Sequence, residues 1–344
     1  MNRKRNITIR SAKLPLLAVC LGLLLSGTPA CAQPAFALEL PLQCQPGETC
    51  WVANYIDVNP TPVAQDFQCG SRSYNGHDGV DFAIRDQGVM AAGVPVLASA
   101  AGAVKSVRDG MADTGLLAPG AEETLKGKEC GNGVVIDHDG GWQTQYCHLR
   151  QGSIIVRPGE AVATGATLGA VGMSGWAEFP HVHLAVRHNG VELDPFTGLP
   201  GGSACGQPGT PLWHPDLGMT YQQAALYNAG FSAGPPDILR IRAGQPSGNP
   251  LMPQSPALVL WVEILGVTQG DLVRFRIIGP NTATLLAEEQ RIDKTQARRY
   301  IFMGKRRTAQ SWPAGEYRGQ VTLIRKQAGT ESWQESIERV VMLQ

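Results

Sequence analysis

The sequence predicts an all-β protein in which an antiparallel β domain is followed by an immunoglobulin-like β-sandwich. Short runs rich in β-branched residues alternate with glycine turns along most of the chain, a pattern typical of antiparallel sheets. The 344 residues include 41 Gly and 24 Pro, which favours many turns between short strands over long helices. A chain of this length accommodates about two domains.

Residues 1–37 have the features of an export signal. Basic residues precede an apolar run, Leu14–Leu25, that is too short to cross a bilayer as a helix. Cleavage is expected after Ala32 or after Ala37, and lipid attachment at Cys31 is an alternative that the preceding residues match poorly. No other segment is apolar enough for a membrane span, so we expect an exported protein, either periplasmic or secreted.

The charge of the expected mature protein argues against a nucleic-acid partner. Removing the five basic residues of the signal from the 29 Lys and Arg leaves 24, against 29 Asp and Glu, a net charge of −5. Proteins that bind nucleic acid use a basic patch, which this composition does not provide.

The cysteines agree with export. Signal cleavage leaves six, an even number that suits disulfide formation in an oxidising compartment. Residues 131–149 are predicted to form a hairpin that turns at Asp139–Gly141, which places Cys130 and Cys147 at similar distances from the turn on opposite strands. We therefore predict a Cys130–Cys147 disulfide, and the alternative is a free thiol beside His148. The sequence has no C-x-x-C pair of the kind that binds structural zinc.

After the signal, composition and strand pattern divide the chain into four segments. They are an irregular arm with three cysteines (38–75), the antiparallel β domain (76–200), a linker rich in Gly and Pro (201–235) and the sandwich domain (236–344).

Within these segments, residues 109–129 are predicted to be a long surface loop. One short helix is expected over Met219–Asn228, and the first sandwich strand is expected at Ile238–Ile241.

The arm has two possible roles. It is expected to be pinned by disulfides, and it either pads one edge of the β domain or covers the functional groove. In the second case Asn54, Asp57 and Asp66 would offer oxygen atoms to that groove.

The histidines carry the strongest chemical signal. Six of the seven lie within residues 77–188. His77 and Asp81 occur as H-D-G-V-D, and His181 and His183 occur as H-V-H, where alternation along a strand points both rings to one face. Two neutral imidazoles and one carboxylate are a typical catalytic zinc set, with water in the fourth position.

Seven motifs follow one another in order between about residues 70 and 196. They are G-H-D-G-V-D-F-A, G-V-P-V-L-A-S-A-A-G-A-V, G-N-G-V-V-I-D-H, Q-Y-C-H-L, V-A-T-G-A-T-L-G-A-V-G-M-S-G, F-P-H-V-H-L and D-P-F. In spacing and order this set resembles the lysostaphin-type (LytM-domain) zinc metalloendopeptidases, which cut the peptide cross-bridges of bacterial cell wall. The resemblance implies that the first domain is a LytM-type β catalytic domain.

The resemblance also implies the functional residues. One zinc ion would be bound by His77, Asp81 and His183, whereas His148 and His181 would be the two histidines that serve the reaction without binding the metal. The sequence has no H-E-x-x-H motif to supply a glutamate base. Histidine must then orient or deprotonate the water and stabilise the oxyanion, and which histidine does which stays open.

We therefore expect an exported zinc endopeptidase that acts on peptidoglycan peptides. One alternative is a non-catalytic regulator that holds wall peptide in its groove or activates another cell-wall hydrolase, and another is a secreted protease that acts on proteins. Trp142, Trp176 and Phe179 either line a substrate groove or pack against turns. The sandwich domain is open to three roles: it binds glycan, binds a partner protein, or packs on the catalytic domain.

Overall fold

The computed structural model describes residues 36–118, 120–326 and 332–344. The expected export signal lies outside these ranges, apart from Phe36 and Ala37. Within the described residues, no helix is both long and apolar enough to cross a membrane.

Strands make up most of the regular structure, which confirms the all-β prediction. In the first part of the chain they are β1 (Cys50–Asn54), β2 (Val80–Ile84), β3 (Pro95–Leu97), β4 (Gly102–Arg108), β5 (Asn132–Asp137), β6 (Trp142–Leu149), β7 (Ala161–Val162), β8 (Thr167–Ala170), β9 (His181–His188) and β10 (Val191–Glu192). The second part contributes β11 (Ala225–Ser232), β12 (Ala257–Val267), β13 (Leu272–Ile278), β14 (Thr284–Arg291), β15 (Gln296–Arg306), β16 (Gly315–Arg325) and β17 (Trp333–Leu343). Short helices interrupt them at α1 (Gln87–Ala92), α2 (Ala121–Leu125) and α3 (Ile238–Arg242).

The first domain is built on one large antiparallel sheet. Its strand order is β1-β2-β9-β6-β5-β4-β7, with β10 beside β9, while β3 and β8 pair separately. Leu149, Val182 and Leu184 are fully buried in the core beneath this sheet. The order matters for function because β9 lies between β2 and β6, so the three strands that carry Asp81, His148, His181 and His183 are neighbours.

The second domain is a sandwich of two antiparallel sheets. One has the order β11-β12-β15 and the other has the order β14-β13-β16-β17. Leu260 and Phe275, from opposite sheets, are both fully buried in a single core. The fourth strand pairs with the third, whereas the constant-type immunoglobulin arrangement pairs it with the fifth. The immunoglobulin-like assignment stays a prediction.

Two expected segment boundaries differ from the structure. The arm is part of the first domain, since β1 is the edge strand of the large sheet and Leu38 and Tyr55 are fully buried in its core. The sandwich begins before residue 236, because β11 lies inside the segment expected to be a linker. Long-range pairing with β12 brings this stretch into the sheet.

Three local predictions were wrong. No helix forms over Met219–Asn228, because its last four residues belong to β11. Ile238–Ile241 is helical instead of extended, because the Asp237 carboxylate accepts the amide protons of Leu239 and Arg240 and caps α3. The expected loop at residues 109–129 contains the short helix α2.

In the described part of the chain, the six expected mature cysteines form three disulfides. They are Cys44–Cys50, Cys69–Cys205 and Cys130–Cys147. The last confirms the pairing predicted from the hairpin. The second ties the arm to the segment that follows the first domain.

Candidate metal centre

Strand register brings the motif residues together on one face of the large sheet. Asp81 of β2 lies directly opposite His183 of β9, and Cys147 of β6 lies opposite His183 on the other side. His181 is two residues from His183 on the same strand, so both rings project from the same face. His148 follows Cys147 at the end of β6. The structure thus brings all five candidate residues into one site.

Three ligand-type atoms converge at the centre of this site. Nε2 of His77 lies 3.1 Å from Oδ1 of Asp81, and Nδ1 of His183 lies 3.1 Å from that nitrogen and 3.0 Å from that oxygen. Tetrahedral zinc with bonds of ~2.0–2.1 Å would separate its ligands by about 3.3 Å. All three side chains are buried.

The hydrogen bonds around these atoms fix their lone pairs inward. Nδ1 of His77 donates to the Tyr55 carbonyl oxygen over 2.7 Å, which leaves Nε2 as the acceptor nitrogen of the neutral ring. Nε2 of His183 lies 3.1 Å from a carboxylate oxygen of Asp78, which leaves Nδ1 free in the same way. When His183 is neutral, two imidazole nitrogens and a carboxylate oxygen face one another. Such a donor set suits a divalent cation, and zinc fits it.

The charges of the site agree with this donor set. Burial opposes ionisation of Asp81, but its electrostatic interactions with His77 and His181 hold the pKa of that carboxyl well below its usual range. Burial also disfavours a charged His183, yet the carboxylates of Asp78 and Asp81 outweigh it and raise the pKa of this histidine to about 9. The site therefore attracts positive charge.

Two residues have supporting roles that were not expected from the sequence. Asp78 accepts from His183, as described above, and Nδ2 of Asn54 donates to Oδ2 of Asp81 over 2.8 Å. Asp78 lies within the H-D-G-V-D motif, but the sequence does not show its contact with His183, which is 105 residues away. Asn54 sits on β1 beside Asp81 in register, which only the sheet pairing reveals.

Gly79 allows the chain to pass close to His183. A Cβ atom at this position would lie 2.4 Å from Nε2 of His183. Any side chain larger than hydrogen would therefore displace the ring or the loop that carries His77. The close approach explains the glycine at the centre of H-D-G-V-D.

His148 is presented by a β-bulge. Tyr146 pairs with Val134 and Leu149 pairs with Asn132, so two residues of β6 stand opposite one residue of β5. His148 has a positive φ of 63°, which is strained for a residue with a side chain. Its amide proton is accepted by the Cys130 carbonyl oxygen over 2.9 Å, beside the Cys130–Cys147 disulfide. The bulge and its bracing aim the ring at the centre of the site.

His148 and His181 have the same hydrogen-bonding pattern. Nδ1 of His148 donates to the Ser174 carbonyl oxygen over 2.7 Å, and Nδ1 of His181 donates to that of Phe179 over 2.8 Å. Nε2 is therefore the free nitrogen of each neutral ring. Nε2 of His181 lies 3.6 Å from Oδ1 of Asp81. The centroids of the His148 and His181 rings are 4.5 Å apart. Burial lowers the pKa of both rings.

The site opens into a cleft of about 480 Å³. The residues that line it include His77, His148, His183, Trp176 and Arg187. Trp176 is 41% exposed, so its indole ring is accessible to a ligand in the cleft. A cleft of this size accommodates a short peptide segment.

The arm does not supply a carboxylate to the cleft. Asp57 accepts the backbone amide protons of Asn59, Gln65 and Gly76, and so shapes the loop before His77. Asp66 likewise accepts backbone amides, including that of Arg72. Asn54 directs its amide nitrogen to Asp81 and thereby supports a candidate ligand.

Comparison with known proteins gives a family for this domain. Residues 75–195 match the model of "Peptidase family M23". Peptidoglycan DD-endopeptidase ShyC of Vibrio cholerae is 37% identical over 67 residues, which are 20% of this chain and 15% of that protein. DD-carboxypeptidase/endopeptidase Mpg of Neisseria meningitidis is 31% identical over 123 residues, 35% of this chain and 22% of that protein. The chain thus spans less than a quarter of these relatives' length.

Among solved structures, the catalytic domain of the antimicrobial peptidase lysostaphin from Staphylococcus simulans is 22% identical. The alignment covers 41% of this chain and 85% of that one, with a TM-score of 0.27. The match to the family model agrees with the motif order and with the His-Asp-His cluster inside it. The chain therefore carries a domain of peptidase family M23 over residues 75–195, which confirms the resemblance to the lysostaphin-type (LytM) peptidases.

Proposed function

We propose that this protein is an exported zinc-dependent endopeptidase that hydrolyses peptide cross-links of bacterial peptidoglycan. The single observation that carries the proposal is the convergence of His77, Asp81 and His183, with the free nitrogens of two further histidines beside them. A site that lacked one ligand would favour a binding protein. Here all three expected ligand residues and both further histidines are present.

The chain's own residues prepare the site for hydrolysis. A zinc ion held by His77, Asp81 and His183 would polarise a peptide carbonyl and lower the pKa of a water toward ~7. The Tyr55 carbonyl oxygen and Asp78 keep the ligand rings in the required tautomers. Asn54 holds the second oxygen of Asp81, so that a single carboxylate oxygen faces the centre.

His148 and His181 move protons and stabilise negative charge at the scissile bond. Each ring donates from Nδ1 to a backbone carbonyl, so Nε2 of each is the atom that accepts or returns a proton in the cleft. Positioned groups of this kind stabilise the oxyanion that forms during amide hydrolysis. Two histidines replace the glutamate of the H-E-x-x-H peptidases.

The names of the relatives support peptidoglycan as the substrate. One is named a peptidoglycan DD-endopeptidase, and another is named a DD-carboxypeptidase/endopeptidase. The three disulfides among the described residues support an oxidising location outside the cytoplasm.

The test uses the full mature protein, loaded with zinc and incubated with isolated peptidoglycan. Mass spectrometry of the products should show cleaved cross-links, and a chelator should abolish the activity until zinc is restored. His183→Ala should be inactive, whereas His214→Ala is the matched control, because His214 is half-exposed and far from the cleft in sequence. The control should retain wild-type activity.

The same assay separates the alternatives. A non-catalytic regulator would bind the peptidoglycan without releasing any product. A secreted protease would cleave casein and leave the peptidoglycan cross-links intact. Either result would overturn the proposed substrate, and the first would also overturn the proposed activity.

A further inference from the structure

The sandwich domain packs beside the candidate site, on the face of the large sheet that carries Asp81 and His181. Trp51 and Ala83 of the first domain share a small apolar cluster with Tyr227 and Leu265 of the second, and all four are at most 5% exposed. The rings of Trp51 and Tyr227 meet edge to face, with centroids 5.9 Å apart. Phe179 is partly buried and packs against this cluster.

Phe179 is the link between that cluster and the site. Its carbonyl oxygen accepts the Nδ1 proton of His181 over 2.8 Å, and its ring lies 4.8 Å from the His181 ring. Two open clefts border Phe179, so packing alone leaves its ring incompletely enclosed. Whatever holds Phe179 therefore also holds the acceptor that sets the tautomer of His181.

Arg298 of the sandwich completes the enclosure of Phe179. Its guanidinium carbon lies 5.1 Å from the centroid of the Phe179 ring, within the range of a cation–π contact. Arg298 pairs across the strands with Leu265, which belongs to the interdomain cluster. Among the described residues, no carboxylate forms an ion pair with Arg298. The aromatic ring is thus its principal partner.

We propose that Arg298 is a positioning residue for His181 and that it acts through Phe179. The inference rests on the proposed function, because it assigns the sandwich domain a part in that reaction. The guanidinium fixes the Phe179 ring, the ring fixes the turn before Pro180, and that turn presents the carbonyl oxygen to Nδ1 of His181. Without the guanidinium, the free Nε2 of His181 loses its fixed direction.

The kinetic test compares Arg298→Ala, Arg298→Lys and the control Arg274→Ala in the full-length mature protein. Arg274 is an exposed sandwich residue paired with Glu289. Arg274→Ala therefore controls for the loss of an arginine side chain from the sandwich domain. On a soluble cross-linked muropeptide, we expect Arg298→Ala to lower kcat about tenfold, within the ~100-fold that a 1 Å misplacement can cost. KM, zinc content and melting temperature should stay at wild-type values, and Arg298→Lys should recover most of kcat.

A second measurement does not depend on activity. The ring-proton NMR signals of His181 should shift in Arg298→Ala and in Phe179→Leu, because the His181 ring lies beside the Phe179 ring, and they should not shift in Arg274→Ala. An unmoved His181 signal in Arg298→Ala would overturn the proposal, as would a kcat loss that only follows loss of zinc or of stability. If the wild-type protein cleaves nothing, the proposed function fails, and the NMR comparison still decides the positioning role.

Discussion

Asp78 and His183 are joined by a 3.1 Å contact between a carboxylate oxygen and Nε2, although 105 residues separate them in the chain. The contact orients the histidine so that Nδ1 faces Asp81, 3.0 Å away. Asp78 is close to Arg187 as well, at 4.0 Å, so its carboxylate is held from two sides.

The first prediction concerns this pair. Asp78→Ala removes the acceptor that fixes the His183 tautomer, and zinc affinity should fall by about 10–100-fold, as for other outer partners of metal ligands. Competition with a chromophoric chelator measures the change. Asp78→Asn should lose less, because its amide oxygen still accepts. Asp216→Ala, at a highly exposed carboxylate, is the control, and an unchanged affinity in Asp78→Ala would argue against the role.

The second prediction separates metal ligands from histidines that serve the reaction. His148→Ala and His181→Ala should retain stoichiometric zinc and lose turnover by about 10²–10³-fold, since acid–base and oxyanion groups each contribute on that scale. His183→Ala should lose the metal itself, because two ligands hold zinc poorly. Elemental analysis together with a cleavage assay checks both. Metal loss in His148→Ala would make that residue a ligand.

The third prediction concerns the Cys69–Cys205 disulfide, which closes a loop of 136 residues between the arm and the end of the first domain. Replacing both cysteines by serine should lower the free energy of unfolding by about 2–5 kcal/mol. Activity should fall in parallel, because β1 of the arm supports Asp81 through Asn54. Denaturant titration and a cleavage assay of the same samples provide the measurement.

A cut within the arm tests whether the arm covers the cleft or supports the sheet, because the two roles predict opposite changes in activity. An arm that covers the cleft would release activity when it is cleaved or reduced, whereas an arm that pads the sheet would not. We expect limited proteolysis within residues 60–63, an exposed turn, to lower activity and thermal stability together. A rise in activity after the cut would instead indicate that the arm covers the cleft.

The fourth prediction uses Asp194, whose pKa burial raises to about 7. Oδ1 accepts the Phe196 amide, but Oδ2 has no hydrogen-bond partner among the described residues, and the nearby charged or titratable groups are Asp66 and Tyr55. The native state therefore holds this proton up to a higher pH than the unfolded chain does. Its contribution to stability is complete below pH ~4 and is lost as the pH rises toward ~7.

Asp194→Asn should remove this dependence, because the amide stays neutral. The difference in unfolding free energy between variant and wild type should grow from pH 4 to pH 7, by at most about 1.4 kcal/mol per pH unit, and then level off. Denaturant titrations across this range measure it, with Asp216→Asn as the exposed control. A constant difference would mean that Asp194 is ionised in the native state throughout.

Strand content and the composition of the site were readable from the sequence because both depend on local spacing. Alternation along a strand places His181 and His183 on one face. The motif H-D-G-V-D places His77 and Asp81 only four residues apart. The roles of the five residues as ligands and catalytic groups stay predictions. Their assembly into one buried site is what the structure adds.

The errors lie where distant segments override local preference. Residues 225–232 resemble a linker or a helix in isolation, and they form β11 because β12 offers a partner. Ile238–Ile241 has the β-branched content of a strand, and a single capping aspartate makes it helical. Neither outcome is encoded in the periodicity of the segment itself.

By itself, the sequence determined an all-β chain, the disulfide across the β5–β6 hairpin and the order of the M23 motifs. Each of these depends on residues close in the chain or on a fixed motif order. Only the tertiary structure decided that Asp78 supports His183, that a bulge aims His148, and that Arg298 of the sandwich lies over Phe179. The physical reason is that these contacts follow from strand order and domain packing, which bring together side chains that no local spacing relates.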